Sequence, residues 1–415
     1  MHYLLSLFFI ALNLIPNAVE PPTHFQDFTE YLANRYAIQF VSGNKIEILD
    51  SGQEIMDKKL QMIDQAKHFI YLETFIFHAD HFGTEIAEAL IQKARHGVEI
   101  IFIYDVFGSL VNSDAPLLSL LEQSGIRVIP HVTSLIPREV WHRKTIIIDN
   151  RYAFIGGTNL CDYVLAREMD LSRWRFPASS TKDTTVFVQG PVVYEMYRDY
   201  LTALNILGQK VTRIYKPAHD CFEGDVQAGV LSFHPRENDS RVFENLYLDL
   251  ITHAHEKILL ESGYFIPTEK IIKALKQAAD RGVEIDVLIS FKTLANFPWR
   301  DELAKFIFQD LSDHGIRIHD HKTGPVHSKI AVFDNRYSLV GTVNLDRRSL
   351  ILDVESSLIV DSPSFAQKMT EWIDSGIEHS VLMNFDFQND DNPIRYIYDL
   401  LLTGYTIMLS FAADY

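Results

Sequence analysis

The stretch HRKTIIIDNRYAFIGGTN, residues 142–159, returns later in the chain as HSKIAVFDNRYSLVGTVN, residues 327–344. His142, Lys144, Asp149, Gly156 and Asn159 thus have counterparts at identical offsets in His327, Lys329, Asp334, Gly341 and Asn344. A lone His-x-Lys arises by chance in many proteins, whereas five matched positions in two copies do not. In each copy an apolar, β-branched-rich run, 145–148 or 330–333, ends in an Asp-Asn-Arg-Tyr turn and reads as a strand. Successive side chains alternate across a strand, so His142 shares a face with Lys144, and His327 with Lys329. Two copies imply one shared cleft.

The duplication extends outward from the motifs. Upstream of the first copy lie an apolar run at 66–73, a helical 3.6-residue pattern at 83–95, the turn Gly97-Val98-Glu99 and a second apolar run at 100–104. The second half repeats that order at 255–261, 268–281, Gly282-Val283-Glu284 and 285–289. Strand, amphipathic helix, glycine turn and strand make a βαβ unit, so each half is expected to be an α/β sandwich on a largely parallel sheet. After each motif comes a further strand, 184–188 or 356–360, preceded by Asp183 or Glu355. The first half carries an extra segment at 162–176, read as a loop bordering the site. Residues 23–210 and 241–385 are the two expected domains. The Gly- and Pro-containing stretch 211–240 lacks sustained periodicity and is expected to link them.

Composition narrows the partners. With 38 Lys and Arg against 55 Asp and Glu, the formal charge of −17 disfavours nucleic acid unless the cations are gathered at one place. Two cysteines, Cys161 and Cys221, are too few for a disulfide framework and lack zinc-site spacing. The apolar run 3–15 within residues 1–22 is short for a membrane span and suits a signal peptide or N-terminal anchor, which places the chain in the cell envelope or at a membrane. The apolar segment 394–411, inside the C-terminal region 386–415, is expected to pack on the second half.

The doubled H-x-K-x4-D-x6-G-x-x-N pattern resembles the phospholipase D superfamily over most of residues 40–380. Leu72-Glu73-Thr74-Phe75, Gly263-Tyr264-Phe265-Ile266-Pro267 and Asn344-Leu345-Asp346-Arg347-Arg348-Ser349 are similar to phrases of bacterial cardiolipin synthases. The resemblance implies an α/β fold of two pseudo-twofold-related α/β/α sandwich halves with the active site at their interface. It also implies a phosphatidyltransferase or phospholipase D-type enzyme working through a phosphohistidine, without metal or cofactor. The implied substrate is a phospholipid, phosphatidylglycerol by preference, taken from a membrane surface to make cardiolipin. Hydrolysis to phosphatidic acid and a metal-independent nuclease are the alternatives. A noncatalytic headgroup-binding scaffold would show a broken second motif, and both motifs here are intact.

The chemistry asks for these residue types. Displacement at a phosphodiester needs a nucleophile, a proton for the leaving alkoxide and positive charge around the nonbridging oxygens. Two histidines and two lysines supply that set. By analogy with the superfamily, His142 is the nucleophile and His327 the general acid. Asn159 and Asn344 are expected as amide donors to the phosphate, with the turns at Gly157 and Thr342 letting backbone approach closely. A histidine attacking through one nitrogen needs an acceptor on the other; Asp183 and Glu355 are the candidates, and the resemblance assigns that task to Glu355. Asp149 and Asp334 close the motif strands and complete the candidate catalytic set.

Overall fold

The computed structural model describes residues 25–49, 52–109, 115–132, 139–162, 169–171, 174–176, 181–211, 213–218, 223–235, 241–291 and 298–384. The N-terminal and C-terminal apolar segments and much of the 162–176 loop lie outside them. Among the described residues a mixed sheet of fifteen strands runs through both halves. In the first half its order is Val41–Leu49, Thr185–Gln189, Tyr152–Gly156, Thr145–Ile148, Phe69–Thr74, Glu99–Asp105, Arg127–His131. The second half mirrors it with Val226–Phe233, Glu355–Asp361, Tyr337–Gly341, Lys329–Phe333, Lys257–Ser262, Glu284–Ile289, Arg317–His321, and adds Ser380–Leu382 at the edge. Val41–Leu49 pairs antiparallel with Val226–Phe233, and this seam carries the pseudo-twofold.

Two expectations are corrected. The sheet is parallel only where a helix crosses over, between Phe69–Thr74, Glu99–Asp105 and Arg127–His131 and between their three counterparts. Elsewhere it is antiparallel, because each motif strand turns straight back on itself. Asp149 and Asn150 both have φ of 53°, and Asp334 and Asn335 have 50° and 48°, the doubly left-handed form that matches strand twist. The stretch expected as a linker contains the central strand Val226–Phe233, paired at seven positions with Glu355–Asp361. Its pattern is hidden by Gly229, where a Cβ would stand 2.4 Å from Ile38 Cγ2.

Three apolar cores hold these layers. One lies between the first half's sheet and the helices Gly52–Gln65, His81–Arg95 and Ala115–Gln123. Another lies between the second half's sheet and the helices Phe25–Tyr36, Val242–His253 and Glu269–Asp280. The third is shared: Met196, Tyr197 and Tyr200 of helix Val192–Ile206 and Met369 and Ile373 of helix Pro363–Glu378 pack among strands of both halves. That common core makes the interface between the halves as rigid as either interior. Among the described residues no helix is long and apolar enough to cross a membrane.

Asp149 and Asp334 belong to this scaffold. The Asp149 carboxylate accepts the backbone N–H groups of Lys67 (2.7 Å), His68 (2.9 Å) and Phe69 (2.8 Å). Asp334 does the same for His255 (2.8 Å), Glu256 (2.8 Å) and Lys257 (3.0 Å). Each aspartate pins the start of the neighbouring strand, at the end of the motif strand remote from the histidine, so the structure places neither in the catalytic cluster. Asp149→Ala or Asp334→Ala is expected to lower unfolding free energy by about 2–4 kcal/mol, since three donors lose a charged acceptor. Denaturant titration checks this; per-molecule activity of the folded fraction should stay near normal.

Candidate active site

Both histidines stand just ahead of the motif strands, and each is held by a carboxylate from the opposite half. His142 Nδ1 lies 2.9 Å from Glu355 Oε1, and His327 Nδ1 lies 2.8 Å from Asp183 Oδ2. The backbone crosses in the same way. His142 N–H donates to Val354 O at 2.9 Å and Val354 N–H to Val140 O at 2.9 Å. Across the pseudo-twofold, His327 N–H donates to Lys182 O at 2.8 Å and Lys182 N–H to Pro325 O at 2.8 Å. With each Nδ1 on a carboxylate, Nε2 is the nitrogen by which each ring can meet a substrate. Lys144 and Lys329 each donate to the carbonyl of their own motif histidine, which folds the ammonium back beside the ring.

Burial sets the charge states. Burial, with Lys144 and Lys329 beside it, holds the His142 imidazole well below its ordinary range. Burial and Lys329 bring His327 down to about 4, against the pull of Asp183. Burial lowers Lys144 to about 7 and Lys329 to about 8. The acids differ. Burial pushes Glu355 up to about 7 despite Lys144, whereas at Asp183 burial is outweighed by His327, Lys329 and the Thr184 N–H, so that carboxyl is lowered. Burial thus disfavours the charged form of each of these groups, and a phosphodiester anion beside them would favour the protonated lysines and histidines.

The other expected residues stand around this cluster. Asn159 is buried, and its Oδ1 accepts the Ile76 N–H at 3.0 Å, which fixes the direction of its amide. Asn344 is buried, with Oδ1 unpartnered. Gly157 and Thr342 turn out to support the acids: a Cβ on Gly157 would stand 2.0 Å from Asp183 Oδ1, and the Thr342 hydroxyl donates to Glu355 Oε2.

A further layer of buried acids supports the cluster. Asp105 accepts the Trp141 N–H at 2.7 Å and lies 3.1 Å from His131 Nδ1, anchoring the residue before His142. Asp353, held bidentately by Arg348, accepts the Val140 N–H at 3.0 Å. Buried Glu73 binds Arg143 Nε and Trp141 Nε1, each at 2.9 Å, while buried Glu261 binds Lys182 Nζ at 2.8 Å. The signal for the last two was a Glu at the same place in each apolar strand, since a buried carboxylate requires a partner. Trp141 and Phe265 are buried in the core.

Two acid-oriented imidazoles and two ammoniums, converging from two halves of one fold, define a phosphodiester-transfer site of the phospholipase D type. The family model described as "Cardiolipin synthase, PLD-like domain" matches residues 60–172 and 247–377, and the chain belongs to that family. Cardiolipin synthase B of Salmonella typhi is 29% identical over 343 residues, which is 79% of each chain. The cardiolipin synthase of Alkalihalophilus pseudofirmus is 30% identical over 368 residues, 85% of this chain and 69% of that one. A crystal structure of phosphatidylserine synthase from Haemophilus influenzae superposes with a TM-score of 0.66 at 13% identity, over 92% of this chain and 98% of the other, and so shares the fold.

Proposed function

We propose that this chain is a phosphatidyltransferase that joins two phosphatidylglycerols into cardiolipin and releases glycerol, drawing its substrates from a membrane surface in the cell envelope. The crosswise pairing of His142 with Glu355 and His327 with Asp183 carries the reading, because it presents two imidazoles through Nε2 to one cleft. His142 Nε2 attacks phosphorus, and the bond to the glycerol oxygen breaks. His327 Nε2–H gives its proton to that oxygen. His327 then takes the hydroxyl proton of the second phosphatidylglycerol as its oxygen attacks, and the P–N bond breaks to free His142. Lys144, Lys329 and the two asparagines bear the negative charge on the nonbridging oxygens. The ionised Asp183 supports an imidazolium at His327, which favours it as the acid. Water admitted at the second step gives phosphatidic acid.

Incubating the full chain with labelled phosphatidylglycerol in mixed micelles tests this. Labelled cardiolipin and glycerol are expected, undiminished by chelator; neither cardiolipin nor phosphatidic acid would refute it.

The same charge states set the pH profile of kcat/KM, which reports the free enzyme. Glu355, raised to about 7, loses its ionised form as pH falls through that value, so His142 then lacks its Nδ1–H acceptor. Lys144, lowered to about 7, loses its charge as pH rises through that value. His327, the acid, loses its proton as pH rises through about 4, which offsets the gain of ionised Glu355, so kcat/KM is expected to be level from about 4 to about 7 and to fall steeply above that as Lys144 also discharges. A profile flat across two pH units on either side of neutrality would contradict it.

A further inference from the structure

We propose that the first half carries a second anion site, remote from the motif histidines, that binds a phosphate-bearing ligand. A cleft of about 790 Å³ opens at the far end of the motif strand Thr145–Ile148, around Asp149. It is lined by Lys67, Lys93, Arg151, Arg213 and Lys216. Five cations in one cleft stand out in a chain of net charge −17. Two carboxylates, Asp64 and Asp149, share the lining and offset only part of the charge of the five cations. Both oxygens of Asp149 are taken by backbone N–H groups, and Asp64 is 83% exposed and engages Lys93 at 3.4 Å. Arg151 meets Glu223 only at 3.4 Å on the surface. Lys67, Arg213 and Lys216 have no carboxylate within pairing distance among the described residues.

These cations are positioned rather than loose. Arg213 lies over the Tyr215 ring at 4.9 Å and Arg151 over Tyr152 at 5.7 Å, an arrangement that leaves the guanidinium donors facing outward. Tyr215 is itself fixed, its ring 4.4 Å from Phe69, its hydroxyl 3.0 Å from Glu99 Oε2 and its N–H 2.9 Å from Tyr197 Oη. Asn150 Nδ2 donates to Lys216 O at 2.9 Å. Residues 213–218, which lead toward the second half, are thereby tied down over the first half with their cations toward the cleft.

The pseudo-twofold supplies an internal control. At the matching edge of the second half, helix Phe25–Tyr36 packs on Tyr337, with Thr29 Oγ1 2.8 Å from Tyr337 Oη and the Phe28 ring 5.5 Å from that of Tyr337, and a cleft of about 730 Å³ opens between this helix and Arg336. The arginine there, Arg336, is neutralised by Asp361 at 2.8 Å. The two clefts differ in charge and not in size: the first half gathers five cations where the second has one arginine, already paired. The five steps along the chain from Lys144 to Asp149 span roughly 16 Å at strand rise, so a ligand held here is not the reacting phosphate.

Full-length wild type and an Arg213→Gln/Lys216→Gln variant are titrated calorimetrically with inorganic phosphate. Their sedimentation with phosphatidylcholine vesicles, with and without phosphatidylglycerol, is compared in parallel. Wild type is expected to bind phosphate in two classes, one at the catalytic centre. The variant should lose the other class by about tenfold or more, with an unchanged melting midpoint and unchanged turnover of a soluble short-chain diester. If affinity for the phosphatidylglycerol vesicles falls with it, the natural ligand is a lipid headgroup. If only phosphate binding falls, it is a soluble phosphate compound. Identical isotherms and identical sedimentation for the two proteins would overturn the proposal.

Discussion

With a phosphatidyl ester whose leaving group departs without a proton, the His327→Ala enzyme is expected to release one equivalent of leaving group in a burst and then stall. The His142→Ala enzyme should show no burst. On phosphatidylglycerol both should lose turnover, by about a hundred- to ten-thousand-fold for the acid–base histidine and at least as much for the nucleophile. The difference follows from the geometry. His142 and His327 face one cleft through equivalent nitrogens, so either removal leaves a single imidazole with both lysines in place. If that imidazole is His142, attack on phosphorus still occurs when the leaving group needs no acid, but nothing remains to deprotonate the second alcohol. The stalled species carries phosphorus on His142 and is read by acid-labile, base-stable label on the peptide containing it. A burst from His142→Ala, with label on His327, would reverse the roles. Bursts from both variants would mean that the pseudo-twofold is functionally symmetric.

How much of this was legible without coordinates depended on the range of each interaction. The doubled phrase declared the halves, the strands at 145–148 and 330–333 and the four basic side chains, because all of that information sits within eighteen residues of contiguous chain. Asp183 and Glu355 were visible as carboxylates repeated ahead of matching strands. Which acid serves which histidine was not. The His142–Glu355 pair spans 213 residues and the His327–Asp183 pair 144, and two parallel bridges across the seam, Trp141 with Val354 and Lys182 with Val326, decide them. Asp149 and Asp334 show the reverse error. Motif membership suggested chemistry, yet a left-handed turn with a side chain accepting three backbone N–H groups is what a β-turn aspartate does best. The antiparallel majority of the sheet was written in those same Asp-Asn turns, but the helix–glycine–strand units upstream drew the reading toward a parallel sheet. Strand Val226–Phe233 was masked by its own glycine and by flanking prolines, which carry turn signals in isolation.

Crosswise support makes the second large prediction specific. Asp183→Asn is expected to behave as His327→Ala does, and Glu355→Gln as His142→Ala, although each acid lies in the other half of the chain. In Asp183→Asn the amide can still meet Nδ1 at the same distance but carries no charge to stabilise an imidazolium. His327, already brought down to about 4 by burial and Lys329, then loses the interaction that opposes that fall. General acid function fails, while His142, facing Glu355, keeps its tautomer. The burst with an activated ester should therefore survive in Asp183→Asn and steady turnover fall, by up to about ten-thousand-fold on the precedent of an Asp→Asn change behind a catalytic histidine. In Glu355→Gln the amide can offer its own N–H to Nδ1, which shifts the imidazole proton to Nε2 and removes the lone pair that attacks phosphorus, so the burst itself should vanish. If each half used its own acid the two phenotypes would be exchanged, and a single pair of stopped-flow traces separates the alternatives. Because Thr342 also donates to Glu355 and Thr184 N–H to Asp183, the mutant amides retain anchors on their outer sides. The variants should then fold, and the difference between them reports on charge and tautomer rather than on collapse of the interface.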